Sequence, residues 1–221
     1  MLDSERFEGF VDSLSLELPE PLKSLEREAL ESSVPIIRRG SQSLLAFLLR
    51  SKRPMRILEV GAAVGFSSLF MKEYMPEGAH ITTIEKVEMR LVEARKNLAK
   101  YDPEGKITLL EGEAQEILEN LAKEQPGGFD FIFMDAAKGQ YMNFLPPILT
   151  LLAEEGMLVS DNILQEGDIL ESRFAITRRD RTIHSRMREY VYTLTHTPGL
   201  RTVVLQVGDG MTLTIREKVE E

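Results

Sequence analysis

The stretch R-I-L-E-V-G-A-A-V-G-F-S-S, residues 56–68, decides the fold. Ile57, Leu58 and Val60 make a short β-prone run that passes without a break into a turn bearing Gly61 and Gly65. An apolar segment of helical length follows at residues 66–74. Strand, glycine turn and helix in that order open a βαβ unit. In an open parallel sheet, ligands sit beyond the carboxyl ends of the strands, where glycine lets backbone approach ligand closely.

Downstream the pattern repeats. Strands are expected at residues 80–84, 106–110, 129–134 and 156–160, with helices at 87–101, 114–123 and 141–152 between them. Such alternation indicates a parallel sheet covered on both faces. Upstream, Leu2, Phe7, Phe10, Val11 and Leu14 recur at helical spacing, Pro19 and Pro21 interrupt, and two further helical patterns end near residue 52. The end of the chain breaks the rhythm: a helix over 181–195, then 201–206, the turn V-G-D-G with Asp209-Gly210, and 211–216. That is a hairpin signal. The expected fold is α/β and Rossmann-like, with a mostly parallel seven-stranded sheet, helices on both faces and a C-terminal antiparallel hairpin. It forms one domain over 1–221, of which 1–53 is a helical addition.

Composition bounds the function. Of 221 residues, 43% are hydrophobic and 29% charged, a globular balance. No apolar run approaches the roughly 20 residues that span a bilayer, and the acidic start lacks the order of a secretory signal. There is no cysteine, which excludes disulfides and thiolate metal sites. A cytoplasmic protein without a membrane partner is expected. The net charge of −9 opposes indiscriminate binding to nucleic acid. Its distribution is uneven: Arg38, Arg39, Arg50, Lys52 and Arg53 fall in a stretch without acids, and six arginines between Arg173 and Arg188 face Asp180 alone. Such runs are commonly solvated helix surface, and pairing with Glu171, Asp180 and Glu189 is expected for some of them.

Two sites follow from the strand tips. The second strand ends in T-T-I-E, so Glu85 can accept the ribose hydroxyls of an adenosine cofactor. A nicotinamide dinucleotide needs a glycine where Ala63 stands, and Glu59 would repel its pyrophosphate. Both residues suit S-adenosylmethionine, whose amino-acid ammonium Glu59 would meet. Asp135 follows the fourth strand and Asp161-Asn162 the fifth. These oxygen donors can converge at one sheet edge and suit a hard cation such as Mg²⁺, although a lone acid after a strand is more often a solvated turn.

E-V-G-A-A-V-G-F-S, T-I-E, G-E-A, M-D-A-A-K-G-Q-Y and S-D-N-I-L stand in the order found in the metal-dependent catechol and caffeoyl-CoA O-methyltransferases, which this chain resembles over nearly its whole length. The resemblance implies that Asp135, Asp161 and Asn162 bind Mg²⁺ or Mn²⁺, and that Lys138 assists removal of the substrate proton. It implies a cofactor pocket of Ile37, Glu59, Gly61, Ser67, Glu85, Glu113, Ala114 and Asp135, and a homodimer. D-A-A-K-G-Q-Y, the arginines before R-E-Y and the ending V-G-D-G-M-T-L-T-I are similar to the bacterial tRNA 5-hydroxyuridine O-methyltransferases. That implies methylation of a wobble uridine in a tRNA anticodon loop, with Arg38, Arg39, Arg178, Arg179 and Arg181 as candidate RNA contacts. The rival readings are a catechol-like small-molecule acceptor, a non-catalytic cofactor-binding module and a nicotinamide dehydrogenase.

Overall fold

The computed structural model describes residues 4–15, 17–32 and 34–218, and Leu2 of the first helical pattern lies outside them. Three helices come first: α1 (Ser4–Ser13), α2 (Glu20–Glu31) and α3 (Arg39–Lys52). Pro19 and Pro21 do more than interrupt. They flank the start of α2, where a missing N–H costs nothing. Then β1 (Arg56–Val60), α4 (Phe66–Tyr74), β2 (His80–Glu85), α5 (Glu88–Tyr101), β3 (Ile107–Glu111), α6 (Ala114–Glu124) and β4 (Phe129–Met134) alternate. α7 (Tyr141–Leu151), β5 (Leu152–Ser160), α8 (Arg181–His196), β6 (Leu200–Leu205) and β7 (Met211–Arg216) complete the chain.

The seven strands form one sheet in the order β3-β2-β1-β4-β5-β7-β6. The first five are parallel, and β7 runs antiparallel to both β5 and β6. Successive strand residues point to opposite faces. Ile57, Phe131, Phe133 and Val159 therefore pack with α2, α3 and α4, among them Leu25, Leu45, Leu49 and Phe70. Leu58, Ile132, Met134 and Leu158 pack on the other face with Leu118, Tyr141, Ile148 and Tyr190. Burial on both faces is why these strands read as continuous apolar runs.

Most boundaries fall within a residue of expectation, and the start of β5 does not. β5 begins at Leu152, four residues early, because its pairing with β4 shifts register between Phe129 and Phe131. Glu155 takes a left-handed conformation there (φ 56°). Gly156 has no room for a side chain, since a Cβ would stand 2.7 Å from the Ala153 carbonyl oxygen. Such an irregularity carries no periodic signal. Among the described residues, no helix is long and apolar enough to cross a membrane.

Candidate active site

Register aligns the strand tips. Val60 pairs with Ile84 and Met134, and Met134 with Ser160. The residues that follow, Gly61, Glu85, Asp135 and Asp161, share one sheet edge. The ladder extends past the strand ends: Asp135 N–H donates to the Val60 carbonyl at 3.1 Å and Asp161 N–H to Met134 at 3.0 Å. Gly61 (φ 107°) turns so closely over this edge that a Cβ would lie 2.1 Å from the Asp135 carbonyl oxygen. Only glycine fits there.

The turn also fixes Glu85. Ala63 is left-handed (φ 46°), and its N–H donates to Glu85 Oε2 at 2.9 Å. The N–H groups of Lys86 and Val87 donate to Oε1 at 2.8 and 2.9 Å. The carboxylate is held by three backbone donors while it borders a cleft of about 580 Å³. Ile37, Gly61, Ser67, Glu113, Ala114 and Asp135 line the same cleft. Glu113 directs its own carboxylate outward to Lys86 Nζ, 3.2 Å away.

Glu59, the remaining residue of the expected cofactor set, is fully buried and does not line the cleft. Its Oε2 accepts hydrogen bonds from Ser68 and Thr83, and Oε1 has no partner. Burial pushes this carboxyl up, the hydroxyls of Ser67, Ser68 and Thr83 hold it back, and Asp135 pushes it further. Glu59 thus braces the turn from beneath, with one oxygen left over.

At the far end of the cleft stand Asp135 and Asn162, with Asp161 just below. Asn162 Nδ2 donates to Asp135 Oδ1 at 2.8 Å, and the Asn162 N–H donates to Asp161 Oδ1 at 2.7 Å. Tyr141 pins the backbone by donating to the Asp161 carbonyl at 2.9 Å. Burial raises the Asp135 carboxyl, offset in part by Asn162, Lys138 and Arg90. Burial, then Asp135, pushes the Asp161 carboxyl up to about 7. Among the described residues neither acid is in an ion pair. A buried carboxyl raised by a partly buried neighbour, neither of them in an ion pair, is suited to a hard divalent ion. Rotating the Asn162 amide by half a turn offers an oxygen as third donor. Among the described residues no cluster of three or more His, Cys, Asp or Glu suited to a metal occurs, so two acids and an amide are the candidate set.

Lys138 opens a short 3-10 helix, Lys138–Gln140, beyond β4. Its Nζ lies 2.9 Å from Asp209 Oδ2. Asp209 is buried, although the sequence marks it only as a hairpin residue. Its place between Gly208 and Gly210, both at positive φ, is the available signal.

Residues 12–217 match the family model described as O-methyltransferase. This chain belongs to that family. It is 32% identical to O-methyltransferase ankF of Aspergillus thermomutatus over 186 residues, 77% of this chain and 74% of that protein. It is 28% identical to caffeoyl-CoA O-methyltransferase 1 of Eucalyptus globulus over 202 residues, covering 90% and 82%. The SAH-bound methyltransferase PaMTH1 of Podospora anserina shares the fold with a TM-score of 0.83 at 25% identity, covering 99% of each chain. The protein is an S-adenosylmethionine-dependent O-methyltransferase built on the seven-stranded Rossmann-like sheet described above.

The arginines of this methyltransferase divide in two. Arg181 Nε donates to the Ile176 carbonyl at 3.2 Å, Arg186 to Gly139 at 2.7 Å and Arg188 to Ile169 at 3.2 Å. Arg181 and Arg188 brace the loop between β5 and α8, and Arg186 holds the turn that follows β4. Arg173, Arg178 and Arg179 are exposed and in no ion pair among the described residues. The expected pairing with Glu171, Asp180 and Glu189 side chains is absent among the described residues: Asp180 instead accepts the Thr177 hydroxyl at 2.6 Å. Arg39 pairs with Glu26 at 3.0 Å, whereas Arg38 is exposed at the mouth of the cleft.

Proposed function

We propose that this O-methyltransferase works with Mg²⁺ or Mn²⁺ and methylates 5-hydroxyuridine at the wobble position of tRNA, giving 5-methoxyuridine. The observation that carries the metal is the close placing of buried Asp161 and partly buried Asp135, neither in an ion pair among the described residues, beside the Asn162 amide. Those three residues would hold the ion. When bound, a divalent ion lowers the pKa of a coordinated hydroxyl and orients it.

The chain's own residues do the rest. Glu85, fixed by three N–H donors, two on Oε1 and one on Oε2, keeps one acceptor site on Oε2 for the ribose. Gly61 and Ser67 border the cofactor, and Asp135 closes the cleft at its reacting end. Lys138, three residues beyond Asp135, would accept the hydroxyl proton or stabilise the oxyanion. The adjacent oxygens of 5-hydroxyuridine form a chelating pair like those of a catechol. Transfer is one in-line displacement.

Support for RNA comes from Arg38, Arg173, Arg178 and Arg179, exposed and unpaired among the described residues in a chain of net charge −9. A local cationic edge on an acidic protein steers a polyanion to one place. A homodimer belongs to the same reading, supported by exposed Phe7 and Phe10 on α1 and Phe47 on α3. A catechol-like small molecule is the second reading. It is favoured by a cavity of about 650 Å³ beside Ile36–Arg38, faced by Phe7, Val11, Leu30 and Val207. Labelled cofactor, incubated with hydroxyuridine-containing tRNA and with catechols in parallel, tests both. Methylated tRNA, lost on adding chelator, is expected. Turnover of catechols alone sinks the RNA reading, and full turnover in chelator sinks the metal.

A further inference from the structure

We infer that Asp209 is the positioning residue of the methyl-acceptor side: it holds Lys138 in place and ties it to the loop that follows β5. The inference rests on O-methyl transfer at this site and not on the identity of the acceptor. Asp209 lies 71 positions from Lys138, at the turn of the β6–β7 hairpin, and is 6% exposed. Its two carboxylate oxygens serve different parts of the molecule. Oδ2 takes Lys138 Nζ at 2.9 Å, and Oδ1 accepts the N–H of Glu166 at 2.6 Å. Its backbone carbonyl accepts the Leu164 N–H at 2.9 Å, and Gly210 accepts that of Ile163 at 3.0 Å.

A hairpin turn needs no buried acid. Chain reversal is served by Gly208 and Gly210, both at positive φ, with the Gly210 N–H donating to the Val207 carbonyl at 2.9 Å. Nor does the turn over Gln165, Glu166 and Gly167, all left-handed, arise from local preference: two of its three residues bear side chains. The Asp209 carboxylate closes that turn against the hairpin. Lys138 has four rotatable side-chain bonds and is only partly buried, so without a partner its nitrogen would sample many positions. A buried charge-assisted hydrogen bond restricts it to one. Placement of the amine and closure of the loop beside Asn162 are thereby a single event.

The test combines turnover with chemical labelling. Asp209→Asn is expected to lower kcat at least tenfold with the cofactor KM within twofold, and Asp209→Glu to recover part of the loss. In a Lys138→Ala background Asp209→Asn should cost less than a further twofold, because Asp209 acts through the lysine. Independently of any acceptor, Lys138 in the parent should react with an amine-acylating reagent at least fivefold more slowly than exposed Lys123, read by peptide mass spectrometry. Asp209→Asn should abolish most of that protection. Unchanged kcat in Asp209→Asn, losses that multiply in the double variant, or Lys138 labelled as fast as Lys123 in the parent would each overturn the inference. If Asp209→Asn does not fold, Asp209→Glu and parent labelling decide. If the parent turns over no acceptor, the labelling still reads the pair while the proposed function fails separately.

Discussion

Gly61 and Asp135 are in direct backbone contact across two strand tips, with no space for even a methyl group between them. The cofactor turn and the acidic end of the cleft are thus a single packed unit. Gly61→Ala forces Cβ against the Asp135 carbonyl and also strains a backbone at φ 107°. Overpacking of this kind costs about 1–3 kcal/mol. Thermal melting should show that loss together with at least tenfold weaker cofactor binding. A variant with parent melting temperature and affinity would mean that the turn relaxes freely.

The Asp161 carboxyl, raised to about 7, gives a prediction with a definite sign. A carboxyl whose folded pKa is raised contributes stability that is full below its unfolded value near 4 and is lost as pH climbs through about 7. In chelator, melting temperature should therefore fall between pH 5 and pH 8 by more than in Asp161→Asn. Millimolar Mg²⁺ should stabilise the parent more at pH 8 than at pH 5, since protons and metal compete for the same oxygens. A Mg²⁺ effect independent of pH would contradict this assignment.

Glu85→Ala removes the ribose acceptor and simultaneously releases the N–H groups of Ala63, Lys86 and Val87. Each hydrogen bond to a charged group is worth about 1.5–3 kcal/mol. Calorimetry should show at least a tenfold loss of S-adenosylmethionine affinity, with a lower melting temperature. Unchanged affinity would leave Glu85 a purely structural brace.

For RNA, the informative variants are the arginines that brace nothing. Replacing Arg173, Arg178 and Arg179 by alanine should raise the tRNA KM and flatten its salt dependence, by roughly 0.7–0.9 in log–log slope for each phosphate no longer neutralised. Arg181→Ala should chiefly loosen the loop, because its Nε holds the Ile176 carbonyl. A triple variant that handles tRNA like the parent across a salt series would turn the reading toward a small molecule.

What is legible in the sequence follows from what repeats. Strands such as F-D-F-I-F-M announce themselves because both faces are buried, and their tips put Asp135 beside Asp161-Asn162 by topology alone. Glu85 is legible for the same reason. Features that depend on one contact between distant segments are not. Glu59 looks like any acid at a strand tip, yet it lies under the turn. Arg186 and Arg188 are indistinguishable by letter from Arg178 and Arg179, yet they are spent on carbonyls. The Lys138–Asp209 pair joins two loops that no periodicity relates.

The order in which the strands enter the sheet has a bearing on synthesis at the ribosome. β7 comes after β6 in the chain but inserts between β5 and β6. Strands β1 to β5, with the glycine turn, Glu85 and Asp135, emerge before the hairpin that carries Asp209. Lys138 therefore leaves the ribosome 71 residues ahead of the acid that pairs with it. The turn that bears Asp209 is closed only when β7 pairs with both β5 and β6.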